Sequence, residues 1–246
     1  MAELKDTLPI YHQIKQIIRE KILTNELKPD DRIPSEIEMA KLYGVSRMTV
    51  RNALNELVME GYLYRVPGKG TFVARPRIER SFALLTGFME DMRQKGLRPS
   101  SKLLSLKQII PDSVLRKRLK LLPNEKVFEI VRLRYANEEP IVIQASYIPV
   151  FFCPGIESEN LEISSLYDIL EAKYQLVLDH AQQRLEATVA DEKKAQLLGI
   201  KIGAPLLYIY RLSFLANGTP VEFVESWYRS DRYAFEVMLY KNLNLR

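Results

Sequence analysis

Two pairs of arginines are spaced to bind anions. Arg132 and Arg134 stand two apart in the run Val127 to Tyr135, which is rich in β-branched and aromatic residues and reads as a strand. Side chains two apart on a strand share one face. Phe128 and Ile130 lie on the arginine face, while Val127, Val131, Leu133 and Tyr135 line the other. A strand apolar on both faces is a buried one. Two neighbouring guanidiniums withdrawn from water repel each other and are costly to desolvate without an anion. A phosphate or carboxylate could hold both through bidentate hydrogen bonds. An internal network using Glu129, Glu186 or Glu222 would serve equally well. The hairpin that follows places Gln144 and Ser146 on the arginine face, and Glu222, Val224, Ser226 and Tyr228 share a face of the last hairpin.

The second pair, Arg47 and Arg51, follows Ser46 and sits on a helical pattern. Val50, Ala53, Leu54, Leu57 and Val58 recur at helical spacing and form an apolar stripe. Thr49, Asn52 and Met48 lie roughly opposite that stripe, with Arg51 on its flank. Arg47 in the first turn suits a bidentate contact with guanine in a major groove, worth about 1–3 kcal/mol of discrimination. The helix before it opens at Ser35 with Glu38 three residues on, a capping box, and ends at Gly44. The short turn Tyr43-Gly44-Val45 sets the two helices at a steep angle. Ser35 and Ser46 place free helix N–H groups where phosphates could dock. Between Ser46 and Arg77 there are six basic residues against two acidic ones, a local excess suited to phosphate contacts although the net charge of the chain is only +5.

An earlier helix is expected from Pro9 to Leu23, on the stripe Ile10, Ile14, Ile17 and Ile18, and Asn25 to Pro34 reads as loop. After Gly61 two short β-prone runs flank Pro67-Gly68-Lys69-Gly70, a hairpin. Gly68 and Gly70 let backbone approach DNA closely, and Lys69 can reach phosphate or the minor groove. Three helices and a hairpin are the parts of a winged helix-turn-helix, here residues 1–75. The charged run ARPRIER leads out of it, and 76–82 is taken as a linker. In the remainder, 83–246, strands are expected at 102–109, 126–136, 140–148, 177–189, 206–215 and 221–228. Helices are expected at 87–96, 112–119, 165–174 and 191–198. Their order lacks βαβ alternation and predicts an antiparallel sheet with helices, an α+β domain. Two hairpins of similar length point to internal pseudo-symmetry.

Other chemistry finds few residues. Cys153 is the only cysteine, and His12 and His180 lie far apart, so no disulfide framework, zinc cluster or other metal site is expected. No nucleophile–base pair or glycine-rich cofactor loop appears, which argues against an enzyme, and no cofactor is expected. With no run of about 18 apolar residues and no signal pattern at the N-terminus, the chain reads as soluble and cytoplasmic, without a membrane partner.

The N-terminal motifs resemble a known family. Pro34-Ser35-Glu36, the run Val45-Ser46-Arg47-Met48-Thr49-Val50-Arg51-Asn52-Ala53-Leu54, and Gly68-Lys69-Gly70-Thr71-Phe72-Val73 are similar to the signature of GntR-type bacterial regulators. The resemblance implies contact with a palindromic double-stranded operator by Ser46, Arg47, Thr49, Arg51 and the glycine-rich wing. One position departs: Ile37 follows Pro-Ser-Glu where the family usually has a base-reading arginine. Residues 84–235 resemble the UTRA effector domain of the HutC subfamily, similar in fold to chorismate lyase. The matching stretches are Leu85-Thr86-Gly87-Phe88-Met89-Glu90-Asp91-Met92, Arg132-Leu133-Arg134, Ser164-Ser165-Leu166-Tyr167-Asp168, Pro205-Leu206-Leu207 with Arg211, Asn217 to Glu222, and Tyr228 to Tyr233.

The likeness extends to N-acetylglucosamine-utilisation repressors. It implies a phosphorylated amino sugar whose phosphate meets Arg132, Arg134, the backbone near Phe88 and Met89, Ser165 and Tyr167, with Glu222 and Tyr228 facing the sugar. Gln144 replaces a frequent glutamate and Ser230 a usual glycine. The expected protein is thus a homodimeric repressor controlled by a small anionic effector. A carboxylate effector such as a histidine-pathway acid is the alternative, and a lyase-like enzyme the more distant one.

Overall fold

The computed structural model describes residues 8–75, 77–81 and 85–237, and the chain divides into two compact units at Arg77/Ile78. The first contains α1 (Ile10–Leu23), β1 (Arg32–Ile33), α2 (Glu36–Tyr43), α3 (Arg47–Met59), β2 (Leu63–Val66) and β3 (Gly70–Val73). Its core is the meeting of three apolar stripes. Ile14 and Ile18 of α1 pack with Met39 and Ala40 of α2 and with Val50, Ala53, Leu54 and Leu57 of α3. Ile10 faces solvent, so the α1 stripe is narrower than the sequence pattern implied.

Local chemistry sets the helix boundaries. Ser35 accepts from the Glu38 amide while the Glu38 carboxylate accepts from the Ser35 amide at 2.7 Å, a complete capping box. Gly44 closes α2 at φ 66°, a left-handed conformation that glycine adopts without Cβ strain. Ser46 then caps α3 by accepting from the Thr49 amide. Pro9 stands just ahead of α1 as its N-cap.

The stretch expected as loop, 25–34, holds one strand: β1 pairs with β3, so the hairpin is widened to three strands in the order β1-β3-β2. Two residues are too few to show alternation, which is why the sequence pattern did not reveal β1. In the hairpin turn, Pro67 precedes Gly68 at φ 74° and the Lys69 amide donates to the Val66 carbonyl, the arrangement of a type II turn.

The second unit contains β4 (Ile78–Ser81), α4 (Phe88–Gln94), β5 (Pro99–Ile109), α5 (Ser113–Arg118), β6 (Val127–Ala136), β7 (Glu139–Pro149), α6 (Leu166–Tyr174), β8 (His180–Val189), α7 (Glu192–Leu198), β9 (Pro205–Phe214), β10 (Pro220–Arg229) and β11 (Tyr233–Glu236). Six strands form one antiparallel sheet in the order β5-β6-β7-β10-β9-β8. The unit is built twice, as α4-β5-α5-β6-β7 and α6-β8-α7-β9-β10, joined where β7 meets β10. Asp112 and Asp191 cap α5 and α7, and Arg132-Leu133 and Arg211-Leu212 follow them at the same interval on β6 and β9.

The linker expectation needs correction. Positions 76 and 82 lie outside the described residues, but 78–81 form β4, which runs parallel to β11 in a separate two-stranded sheet. Ile78 is buried with Tyr228 and Tyr233. A lone isoleucine among charges shows no periodicity, and its partner strand lies at the far end of the chain.

Leu57 is fully buried where α3 meets α1. Leu57→Ala is therefore expected to destabilise the first unit by about 2–5 kcal/mol, and Ser35→Ala by about 1 kcal/mol through loss of the cap. Denaturant titration followed by far-UV circular dichroism checks both, and equal effects of the two changes would contradict this account of the core.

Candidate functional site

The first candidate surface is the exposed side of α3 and the wing. Arg47, Met48, Arg51 and Asn52 are exposed, Thr49 is half-buried, and Lys69 stands exposed at the hairpin turn. The Ser46 hydroxyl lies 2.8 Å from the Thr49 hydroxyl, so both side chains are held in the cap. Arg47 makes no ion pair among the described residues, which leaves its donors open. Arg51 does not stand free: its guanidinium clasps the Glu36 carboxylate with three contacts of 2.9–3.2 Å. Arg65 of β2 approaches the other oxygen of Glu36 at 3.6 Å.

Glu36 thus ties α2, α3 and the wing together. The Arg51 hydrogen bonds hold its carboxyl below the usual carboxylate range. Sequence reasoning quoted Glu36 within a motif without giving it a role, because its partners lie on other elements. In the wing, Gly70 has φ 127°, and a Cβ there would come within 3.1 Å of Arg32 Nε. Ile37, where an arginine was expected, is 47% exposed on α2 and offers no hydrogen bond to a base.

The second site is a cavity of about 260 Å³ on one face of the large sheet. Strand register explains which side chains meet there. Arg132 pairs across from Gln144, Gln144 from Ser226, and Val224 from Arg211, so β6, β7, β10 and β9 all present this face. The beginnings of α4 and α6 close over it through Gly87 and Phe88 and through Ser165, Leu166 and Tyr167. A Cβ on Gly87 would lie 3.6–3.7 Å from Tyr167 and Ser165, so the two helix starts are in close contact.

Of the residues expected to bind an effector, Phe88, Arg132, Arg134, Gln144, Ser165, Tyr167 and Glu222 line this cavity. Met89 and Tyr228 do not. Met89 is turned about 100° from Phe88 on α4 and is buried, while Tyr228 packs on Tyr233 at 4.4 Å between ring centres. Gly87, Leu166 and Arg211 are lining residues that sequence reasoning did not select. The repeat of Arg-Leu before the second hairpin was the available signal for Arg211.

The electrostatics of the cavity are unusual. Arg132 and Arg134 are each 2% exposed, and both Nε and Nη1 of each lack a hydrogen-bond partner. Arg132 Nη2 reaches Gln144 Oε1 only at 3.4 Å. Burial pushes the Arg132 guanidinium down to about 10 and the Arg134 guanidinium well below its ordinary value, with the charge of Arg132 adding to the second shift. The acidic groups weighed as internal partners do not neutralise the pair. Glu129 bridges Lys107, Glu186 bridges Arg184, and Glu222 accepts from the Tyr167 hydroxyl at 2.9 Å. Tyr167 in turn accepts from Arg211 Nη2 at 2.6 Å, and burial raises its phenol so that it stays a neutral donor. Phe88 gives Arg134 a ring face at 4.8 Å, the one compensation it has in the cavity wall.

A winged helix-turn-helix followed by a separate sheet domain with an enclosed cationic cavity defines a helix-turn-helix regulator of transcription. Residues 10–73 match the profile of bacterial regulatory proteins of the gntR family, and residues 94–234 match the UTRA domain. The HTH-type transcriptional repressor NagR of Bacillus subtilis is 42% identical over 93% of this chain and 93% of its own. The mannosyl-D-glycerate transport/metabolism system repressor MngR of Escherichia coli is 30% identical over 94% and 95%. In fold, the chain is similar to the crystal structure of PhnF from Mycobacterium smegmatis, with a TM-score of 0.68 and 24% identity over 93% of this chain and 100% of that one. The chain belongs to the GntR family, with a UTRA domain as its second unit. It is a DNA-binding transcriptional repressor, and its relatives by sequence and by fold are regulators rather than enzymes. Among the described residues no helix is long and apolar enough to cross a membrane.

An uncompensated buried guanidinium destabilises the unliganded protein. Replacing Arg134 with methionine removes that charge at similar length, and Arg134→Met is expected to stabilise the free protein by about 1–3 kcal/mol. Differential scanning calorimetry without ligand reads this as a rise of about 2–4 °C per kcal/mol. A fall in the midpoint would mean that the charge is already compensated.

Proposed function

We propose that the second unit is a sensor for a small phosphorylated sugar and that its occupancy weakens operator binding by a homodimer. The observation that carries this reading is the pair Arg132 and Arg134, buried side by side with unpartnered N–H groups aimed into one cavity. A phosphate monoester supplies two negative charges and three acceptor oxygens, enough to engage both forks at once. The Ser165 hydroxyl and the amides at the starts of α4 and α6 stand on the same wall; Gly87, the residue preceding α4, contributes no capping side chain to occupy them. Relatives named for mannosyl-D-glycerate and fructoselysine systems support a sugar-linked effector. A small carboxylate is the second reading, favoured by the arginines alone, but it leaves more donors unmatched.

On the DNA side, Arg47 is the base-reading side chain in this proposal. Arg51, Thr49, Ser46 and Ser35 set the helices on the backbone, and Gly68, Lys69 and Gly70 follow the groove. A two-fold dimer fits half-sites of a palindrome. The effector acts by binding more tightly to a conformer whose half-site spacing no longer matches the operator.

Two measurements test this. In a thermal-shift panel, a sugar phosphate at about 100 times its Kd is expected to stabilise the protein by about 2.7 kcal/mol, with small carboxylates giving less and Arg134→Met giving none. A carboxylate that shifts the midpoint more than every sugar phosphate would favour the second reading. Arg47→Ala is expected to cost about 1–3 kcal/mol of specific operator affinity by fluorescence anisotropy, leaving non-specific binding nearly unchanged. Equal loss on both DNAs would make Arg47 a phosphate contact instead.

A further inference from the structure

The charges that face the cavity do not balance. Arg132, Arg134 and Arg211 line it together with a single carboxylate, Glu222. Two positive charges are left over in a space from which water is largely excluded. Five guanidinium nitrogens on these three residues have no hydrogen-bond partner, and neither do the hydroxyls of Ser146 and Ser213 on the same sheet face. What the cavity lacks is two negative charges and a set of acceptors.

The lone carboxylate is not waiting for a cation. Glu222 already accepts from Tyr167, and Tyr167 accepts from Arg211, so a positive guanidinium stands directly behind that chain. Gln144 lies between the arginines and Glu222 on the adjacent strand, 8% exposed. Its amide oxygen is turned to Arg132, and its Nε2 is 3.5 Å from the Ser226 hydroxyl, so the group it has to offer is an N–H donor.

The duplication within the domain sharpens the point. Arg132 and Arg211 occupy equivalent places in the two halves, but Arg134 corresponds to Ser213, Val142 to Glu222 and Gln144 to Val224. The halves have diverged into an anion end and a polar end, and the polar end holds one committed carboxylate and one amide.

We infer that the pocket takes a phosphate dianion attached to an uncharged, hydroxyl- or carbonyl-bearing body, and that Gln144 is the residue that excludes an ammonium group. This rests on the anion-pocket reading above. A dianion with a neutral body brings the cavity to electrical neutrality. An ammonium on that body leaves one buried positive charge over, and sets a donor against the Gln144 N–H.

The test is calorimetric titration of the full chain with glucose 6-phosphate, N-acetylglucosamine 6-phosphate and glucosamine 6-phosphate. At about pH 7, where an amine of this kind is mostly protonated, glucosamine 6-phosphate is expected to bind at least about tenfold more weakly than the tighter of the other two. At about pH 9.5, where that amine is neutral, the gap closes. Gln144→Glu adds the missing carboxylate and shifts the ratio toward glucosamine 6-phosphate by about tenfold. Gln144→Met adds no charge and weakens all three without that shift.

Equal or tighter binding of the amine-bearing ligand to the unmodified protein overturns the inference, as does a ratio that ignores pH. If Gln144→Glu fails to fold, the pH arm decides alone. If none of the three ligands binds and inorganic phosphate causes no thermal shift either, the anion pocket itself falls and takes the inference with it. Binding of inorganic phosphate and of all three ligands with one affinity keeps the pocket but removes Gln144 as a discriminator.

Discussion

The desolvation of two adjacent guanidiniums is the constraint around which the second unit is arranged. A buried cation is tolerated when hydrogen bonds and opposite charge surround it. Here the protein supplies an aromatic face for Arg134 and a distant amide oxygen for Arg132. Everything else on the arginine face is neutral or already engaged. The sheet must be wide enough to bury β6 on both faces, and α4 and α6 must begin at its surface to shut the cavity. A regulator gains from keeping such a site uncompensated, because a matching anion is then bound with the energy that the free protein forgoes.

The DNA-facing unit solves the opposite problem, keeping charge exposed but oriented. Long arginine side chains on a surface sample many rotamers, and ordering them costs entropy on binding. Glu36 holds Arg51 by a fork and draws Arg65 near, so two of the cations around α3 are set before DNA arrives. Arg47 is left without an ion partner, as a base-reading group should be. Because the Glu36–Arg51 contacts are solvent-exposed, they weigh little on stability; their value is geometric. With Ile37 beside them in place of an arginine, recognition by α2 is confined to the backbone of its N-terminus.

Duplication explains how one cavity came to have two unlike ends. A pseudo-two-fold axis between β7 and β10 brings the start of a helix from each half to the same opening, and an arginine from each half to its floor. Symmetry alone would give a pocket for a symmetric ligand. Divergence at Arg134, Val142 and Gln144 against Ser213, Glu222 and Val224 gives the cavity a direction, and a ligand can then enter in one orientation.

Most of the local architecture could be read from the chain itself. The capping box at Ser35, the left-handed stop at Gly44, the cap at Ser46, the hairpin turns and the large-sheet strands follow from neighbouring residues and from period-two or helical patterns, which are local properties. Arg132, Arg134 and Gln144 were legible as a set because strand alternation and hairpin register project a face directly. Tertiary structure alone decided the rest. β1 and β4 are too short for a pattern and exist because distant strands offer them hydrogen bonds. The role of Glu36 depends on α3 and β2 lying beside α2, the exclusion of Met89 and Tyr228 on how helix and strand turn against the core, and the entry of Arg211 on β9 lying beside β10. The sequence by itself determined which groups are charged and which segments are apolar. Only the fold determined which charges share a space without water, because that depends on distances between residues far apart in the chain.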